Sequence, residues 1–107
     1  MIRIINLENY KLNDGEILIK VDRSSYLGNL FFMKSEYERN EVCDNYKIYF
    51  YEQLALNNKK FMRTLLDIAN ISKEHDVALG CWCYPKRCHA ETIKNYIENK
   101  IWGVNKS

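Results

Sequence analysis

Three cysteines and a histidine crowd into one short stretch, Cys81-Trp82-Cys83-Tyr84-Pro85-Lys86-Arg87-Cys88-His89. Side chains of these types hold a soft metal ion, act as nucleophiles, or pack as small apolar groups. For a metal, Cys81, Cys83, Cys88 and His89 supply the four donors that tetrahedral zinc takes. The spacing C-x-C-x4-C-H lacks the usual C-x2-C knuckle, and adjacent side chains at Cys88 and His89 diverge if they open a helix. Cys81 is therefore read as a core residue, no cofactor is expected, and zinc on this cluster is kept as the alternative. For a nucleophile, Cys88 sits where a loop enters a helix, a place that lowers a thiol pKa and attracts anions. Lys86 and Arg87 add positive charge there, although the pair reads equally well as solvated surface. His89-Ala90-Glu91 matches half of the zinc nucleobase deaminase signature, but its P-C-x-x-C half is absent. The other histidine, His75, is expected to be exposed at a helix end, so no nucleophile–base pair is legible.

A second polar segment, Asp22-Arg23-Ser24-Ser25-Tyr26-Leu27-Gly28-Asn29, offers a guanidinium, two hydroxyls, an amide and a flexible glycine. Such loops bind phosphate through arginine and backbone donors. Neither G-x-x-x-x-G-K-[ST] nor G-x-G-x-x-G occurs. Trp82, Tyr26 and Tyr84 are candidates to stack on a base, against the plainer reading that they are core aromatics.

The elements that must position these loops follow from hydrophobic periodicity. Met1–Leu7 reads as a strand, Asn13-Asp14-Gly15 as a turn, and Glu16–Val21 as a second strand with Ile17, Ile19 and Val21 on one face. Ser35 is a plausible N-cap for a helix reaching about Leu56, with Val42/Cys43, Tyr46, Phe50 and Leu54 at helical spacing. Asn57-Asn58 breaks it. Lys59 to about Glu74 is a second helix with Phe61, Leu65, Ile68 and Ala69 on one face. Val77–Trp82 is a short apolar run, the mark of a strand buried on both sides. His89 to about Ile101 is the last helix, with Ile93, Tyr96, Ile97 and Ile101 inward. The order β-β-α-α-β-α implies a small layered α/β fold with a parallel crossover. Ligands in such sheets bind outside the carboxyl ends of strands, where segments 22–29 and 83–88 both lie.

At 107 residues the chain makes one domain, 1–107. Its net charge of +2 is close to balanced, which argues against a nucleic-acid partner. No stretch of about 18 apolar residues and no leader-like N-terminus is present, so no membrane partner and a cytoplasmic location are expected, with the cysteines as thiols or metal ligands. A helix face carrying Tyr46, Tyr49, Phe50 and Tyr51 suggests more apolar surface than one core needs, hence a homodimer or higher homo-oligomer.

Three segments together carry a resemblance: Arg23-Ser24-Ser25-Tyr26-Leu27-Gly28-Asn29, then Arg39, then Leu79-Gly80-Cys81-Trp82-Cys83-Tyr84-Pro85-Lys86-Arg87-Cys88-His89-Ala90-Glu91. They resemble the family called domain of unknown function 4326, found in bacteria and phages, whose pattern ends in Cys-Trp-Cys-x-Pro-x-x-Cys-His. The family's proline after Gly-Asn is replaced here by Leu30. The resemblance implies a small Rossmann-like fold, both loops at one site, and Arg39 as a third contributor. It brings no known reaction.

The expected function is binding of a small anionic, nucleotide-like ligand by Arg23, Ser24, Ser25, Gly28, Asn29, Arg39, Trp82, Cys83, Lys86, Cys88 and His89. If the source is a phage, such a module would work in the host cytoplasm by sequestering a host signalling nucleotide, an anti-defence role. The alternatives are a nucleotide- or nucleoside-processing enzyme using Cys88, and a zinc-stabilised interaction protein.

Overall fold

The computed structural model describes residues 1–103. Three parallel strands form the sheet: β1 (Ile2–Asn6), β2 (Ile17–Lys20) and β3 (Val77–Cys81), in spatial order β1-β3-β2. Val77 pairs with Ile2 on one side and Ile17 on the other, so the last strand made is the central one. Three helices complete the layer: α1 (Arg39–Ala55), α2 (Lys59–Glu74) and α3 (Ala90–Tyr96). The expected order and the small mixed α/β class are both found. Among the described residues, no helix is long and apolar enough to cross a membrane.

All five residues of β3 are buried, as its unbroken apolar run requires. The two faces are covered differently. Val77, Leu79 and Cys81 join Ile2, Val21 and the inner faces of the helices in one core. Ala78 and Gly80 point the other way, under the connection between β1 and β2. A Cβ on Gly80 would stand 2.5 Å from a Leu7 methyl and 3.2 Å from one of Leu18, so this face takes only the smallest residues. Arg3 fastens the same connection, donating to both carboxylate oxygens of Glu16 at 2.7 Å and to the Lys11 carbonyl. That guanidinium holds the Glu16 carboxyl down at about 2.

The helices follow their stripes. In α2, Phe61, Leu65, Ile68, Ala69 and Ser72 are buried, and Asn58 caps the helix by accepting from the Phe61 amide. In α1 the buried stripe is Cys43, Tyr46 and Phe50. The expected Ser35 cap is not made. A 3-10 turn (Glu36–Glu38) leads in, α1 begins at Arg39, and Glu38 reaches back to the Lys34 amide at 2.8 Å. The last helix runs to Ile101 as expected but widens to π geometry over Ile97–Ile101, with the Trp102 amide bonded to the Ile97 carbonyl.

Half of the aromatic face of α1 packs inward. Tyr46 and Phe50 are fully buried, and Phe50 meets Phe61, Tyr51 and Tyr96 edge-on at 5.2–5.5 Å. Tyr51, on the same face, remains 39 % exposed.

Candidate active or binding site at the strand ends

Two chain segments leave the carboxyl edge of the sheet side by side, one after β2 and one after β3. Each is shaped by a different kind of bond.

The segment after β2 is knotted to itself. Ser24 Oγ donates to Asp22 Oδ1 at 2.6 Å and Ser25 Oγ to the Asp22 carbonyl at 2.8 Å. Arg23 donates to the carbonyls of Asn29 and Phe31 at 2.8 and 2.7 Å, and its guanidinium lies 4.1 Å from the Phe32 ring centre. Gly28 is there for space: a Cβ would stand 2.3 Å from the Asp22 carbonyl oxygen and 2.7 Å from the Arg23 Cα. Tyr46 of α1 pins the segment from below, its hydroxyl donating to the Leu27 carbonyl at 2.8 Å.

The segment after β3 is held by its neighbours. Asn6 donates to the Tyr84 carbonyl at 2.8 Å, and Arg39 to the Arg87 carbonyl at 3.0 Å. Arg87 in turn reaches Asp44 at 2.8 Å and Asn40. Trp82 Nε1 donates to Asp22 Oδ2 at 2.9 Å and so ties the two segments together.

Between them opens a cavity of about 260 Å³. Arg23, Arg39 and Arg87 contribute three guanidiniums to its lining and Asp22 the one carboxylate. The remaining walls are mainly apolar, with Phe31, Met33, Val42 and Trp82, or thiol-bearing. Arg39 is shared with the Glu36 carboxylate at 2.7 and 2.9 Å, and Arg87 with Asp44. Arg23 meets no carboxylate among the described residues.

Four of the lining side chains are Cys81, Cys83, Cys88 and His89. The Cys88 thiol lies beside the sulfurs of both Cys81 and Cys83. Its proton holds Cys83 down at about 5, against burial and with the Arg39 guanidinium assisting. Cys81 is lowered by the same thiol to about 7. Cys88 moves the other way, far above the usual thiol value, raised by those two sulfurs and by burial. His89 Nε2 bonds to the Val21 carbonyl, and Nδ1 lies 3.5 Å from Cys88 Sγ. A carbonyl only accepts, so the proton sits on Nε2 and Nδ1 presents its lone pair to Cys88. Burial lowers the His89 pKa and keeps the ring neutral. Among the described residues, no group of three or more His, Cys, Asp and Glu side chains is arranged to hold a metal ion.

Of the residues expected at the site, Arg23, Asn29, Arg39, Trp82, Cys83, Cys88 and His89 line the cavity. Ser24, Ser25 and Gly28 do not; the hydroxyls are spent on Asp22 and the glycine on close packing. Lys86 is exposed and pairs with Glu36 at 3.3 Å. The expected anion seat at the start of the last helix is occupied by the chain itself, because Glu91 Oε2 accepts from the Cys88 amide at 3.2 Å. The thiol drawn down is Cys83, whereas Cys88, the expected thiolate, is pushed up. Asp22, Phe31, Met33, Val42, Cys43 and Arg87 also line the cavity without having been named as binding residues. Two of them had a signal, since Val42 and Cys43 follow Arg39 by three and four residues, the same face of a helix.

No curated protein and no solved structure matches the chain. A family model described as a domain of unknown function (DUF4326) matches residues 5–99, and the chain belongs to that family.

Proposed function

We propose that the protein binds a small anionic, nucleotide-like ligand in the strand-end cavity. The observation that carries this reading is the lining: three guanidiniums against one carboxylate, on otherwise apolar and aromatic walls. Phosphate or carboxylate on the ligand meets Arg23 first, because Arg23 alone of the three lacks a carboxylate partner among the described residues. Trp82, 59 % exposed at the mouth, supplies a flat face for a base. At about 260 Å³ the cavity lies just below the usual range for ligand pockets, which favours a mononucleotide or smaller over a dinucleotide. A module that binds without turnover acts by withholding its ligand, which is how a phage copy would sequester a host signalling nucleotide.

The test is thermal unfolding with nucleoside monophosphates, cyclic mononucleotides and inorganic phosphate, each against Arg23→Gln. Ligand at about a hundred times Kd adds about 2.7 kcal/mol, a rise in Tm on the order of 10 °C for a chain of this size. The rise should vanish in Arg23→Gln. No response to any of these probes would overturn the reading.

The second reading is a nucleotide- or nucleoside-processing enzyme, and one observation favours it: Cys83, the more exposed of the cavity's thiols, lies beside Cys88 and Arg39, which pull its pKa down. Turnover of a bound nucleotide that survives in Cys83→Ser would remove it.

A further inference from the structure

The thiol cluster has a chemistry that ligand binding does not use. Cys83 is half-buried and opens on the cavity, whereas Cys81 and Cys88 are 1 % and 3 % exposed. The Arg39 guanidinium lies beside the Cys83 sulfur, an arrangement that stabilises both a thiolate and the negative charge of a leaving oxygen. Behind Cys83 lies the protonated Cys88 thiol, in contact with it. Behind Cys88 lies His89 Nδ1, a lone pair 3.5 Å from the sulfur and held in that tautomer by the Val21 carbonyl. Sulfur, sulfur and base therefore lie in succession along one wall of the cavity.

We propose that Cys83 and Cys88 form a peroxide-reactive dithiol, with Cys83 as the attacking sulfur, Cys88 as the resolving sulfur and His89 as the base. In the first step the Cys83 thiolate attacks one oxygen of hydrogen peroxide or a small organic hydroperoxide. The O–O bond breaks, Cys83 becomes a sulfenic acid, and the departing oxygen takes a proton from solvent to leave as water or an alcohol. In the second step Cys88 gives its proton to His89 Nδ1 and its sulfur attacks the Cys83 sulfur. The S–O bond breaks, the S–S bond forms, and the departing hydroxide takes the proton back from His89 to leave as water. Two thiols are oxidised and one peroxide is reduced. The roles are not interchangeable: Cys88 holds its proton and is shielded, and Cys81 lies in the strand beneath the surface. Glu36, paired with Arg39, opposes the thiolate without displacing the guanidinium from it. The proposal is independent of which anion the cavity binds.

The test uses the full chain, reduced, freed of reductant, exposed to hydrogen peroxide at one equivalent and then alkylated. Intact mass should show two cysteines protected from alkylation and a loss of two hydrogens, and peptide mapping should link Cys83 to Cys88. At neutral pH a free cysteine is only a few per cent thiolate, a deficit of about thirtyfold that the weaker nucleophilicity of Cys83 roughly cancels, so Cys83 should react at roughly the rate of free cysteine. In Cys88→Ser the sulfenic acid should persist and be trapped by dimedone on Cys83. In Cys83→Ser both adduct and disulfide should disappear. A link from Cys81 to Cys88, alkylation of all four cysteines after peroxide, or stoichiometric zinc that protects the thiols in the protein as purified would each overturn the proposal.

Discussion

The segments that leave β2 and β3 lie together and look alike as strings of polar residues, yet they spend those residues in opposite ways. After β2, Arg23, Ser24, Ser25 and Asn29 bond to the segment's own backbone and to Asp22, and the result is a fixed shape whose hydroxyls have little left to offer. After β3, Arg39 and Asn6 from other elements hold the backbone, and the side chains of Cys83, Cys88 and His89 are left to act on one another. A hydroxyl or guanidinium in a loop is as often a local fastener as a ligand donor. What separates the two uses is whether other elements have taken over the fastening.

The sharpest way to break the contrast is Gly28→Ala. Its Cβ would collide with backbone, which cannot swing aside, so the expected cost is roughly 3 kcal/mol, a fall in Tm of more than 10 °C for a domain of this size. A melting curve close to the parent's would show the segment after β2 to be pliable and the contrast wrong. Next comes Tyr46→Phe, which leaves the Leu27 carbonyl without its donor in the core. Denaturant unfolding should show a loss of about 1–2 kcal/mol with an unchanged m-value.

For the segment after β3 the effect should lie in titration more than in stability. Cys83 falls from 9 to about 5 on folding. The unfolded chain therefore binds more protons across that window, and this contribution to stability is complete above pH 9 and lost as pH falls towards 5. Cys81, lowered to about 7, acts with the same sign over the upper part of the window. His89, lowered by burial from 6.5, also weakens the fold as pH drops below that value. Cys83→Ser should flatten the stability profile between pH 9 and 6.5 while leaving the acid limb. In Cys88→Ala, thiolate absorbance from Cys83 should titrate well above the parent's midpoint, because its main hydrogen-bond donor is gone; an unmoved midpoint would deny the coupling. The smallest effect belongs to Trp82→Phe. It removes one half-exposed bond to Asp22 and should cost under about 1 kcal/mol, yet raise the Asp22 pKa, which NMR titration of the carboxyl would read.

Much of this was legible in the sequence. Phe61, Leu65, Ile68 and Ala69 announced the buried face of α2 because they recur at helical spacing over more than two turns. The bare apolar run from Val77 announced a central strand because only a strand covered on both sides dispenses with polar residues. The convergence of two strand-end segments followed from parallel topology. What could not be read were the partners of individual polar groups. Nothing local says that Ser24 bonds to Asp22 rather than to a ligand, or that Glu91 turns back on the Cys88 amide. Nor does the order of cysteines reveal which one keeps its proton. That depends on the Arg39 guanidinium and the burial of Cys88, both set by elements far away in the chain. The Ser35 cap failed for a related reason: the Glu38 amide it would have satisfied donates instead to the Ser35 carbonyl at 3.0 Å, in the 3-10 turn.

The sheet order has a consequence for how the chain is made. β1 and β2 do not pair with each other; each pairs only with β3, and Ile2 waits for Val77. A ribosome emitting this chain from its N-terminus therefore releases two apolar, β-branched segments and both long helices before any sheet exists. For most of synthesis those segments are unprotected edges of the kind that invite aggregation. Protease resistance of nascent chains should accordingly appear in a single late step, once residues 77–81 have cleared the exit tunnel, and fragments ending before Val77 should be poor folders whatever their helical content.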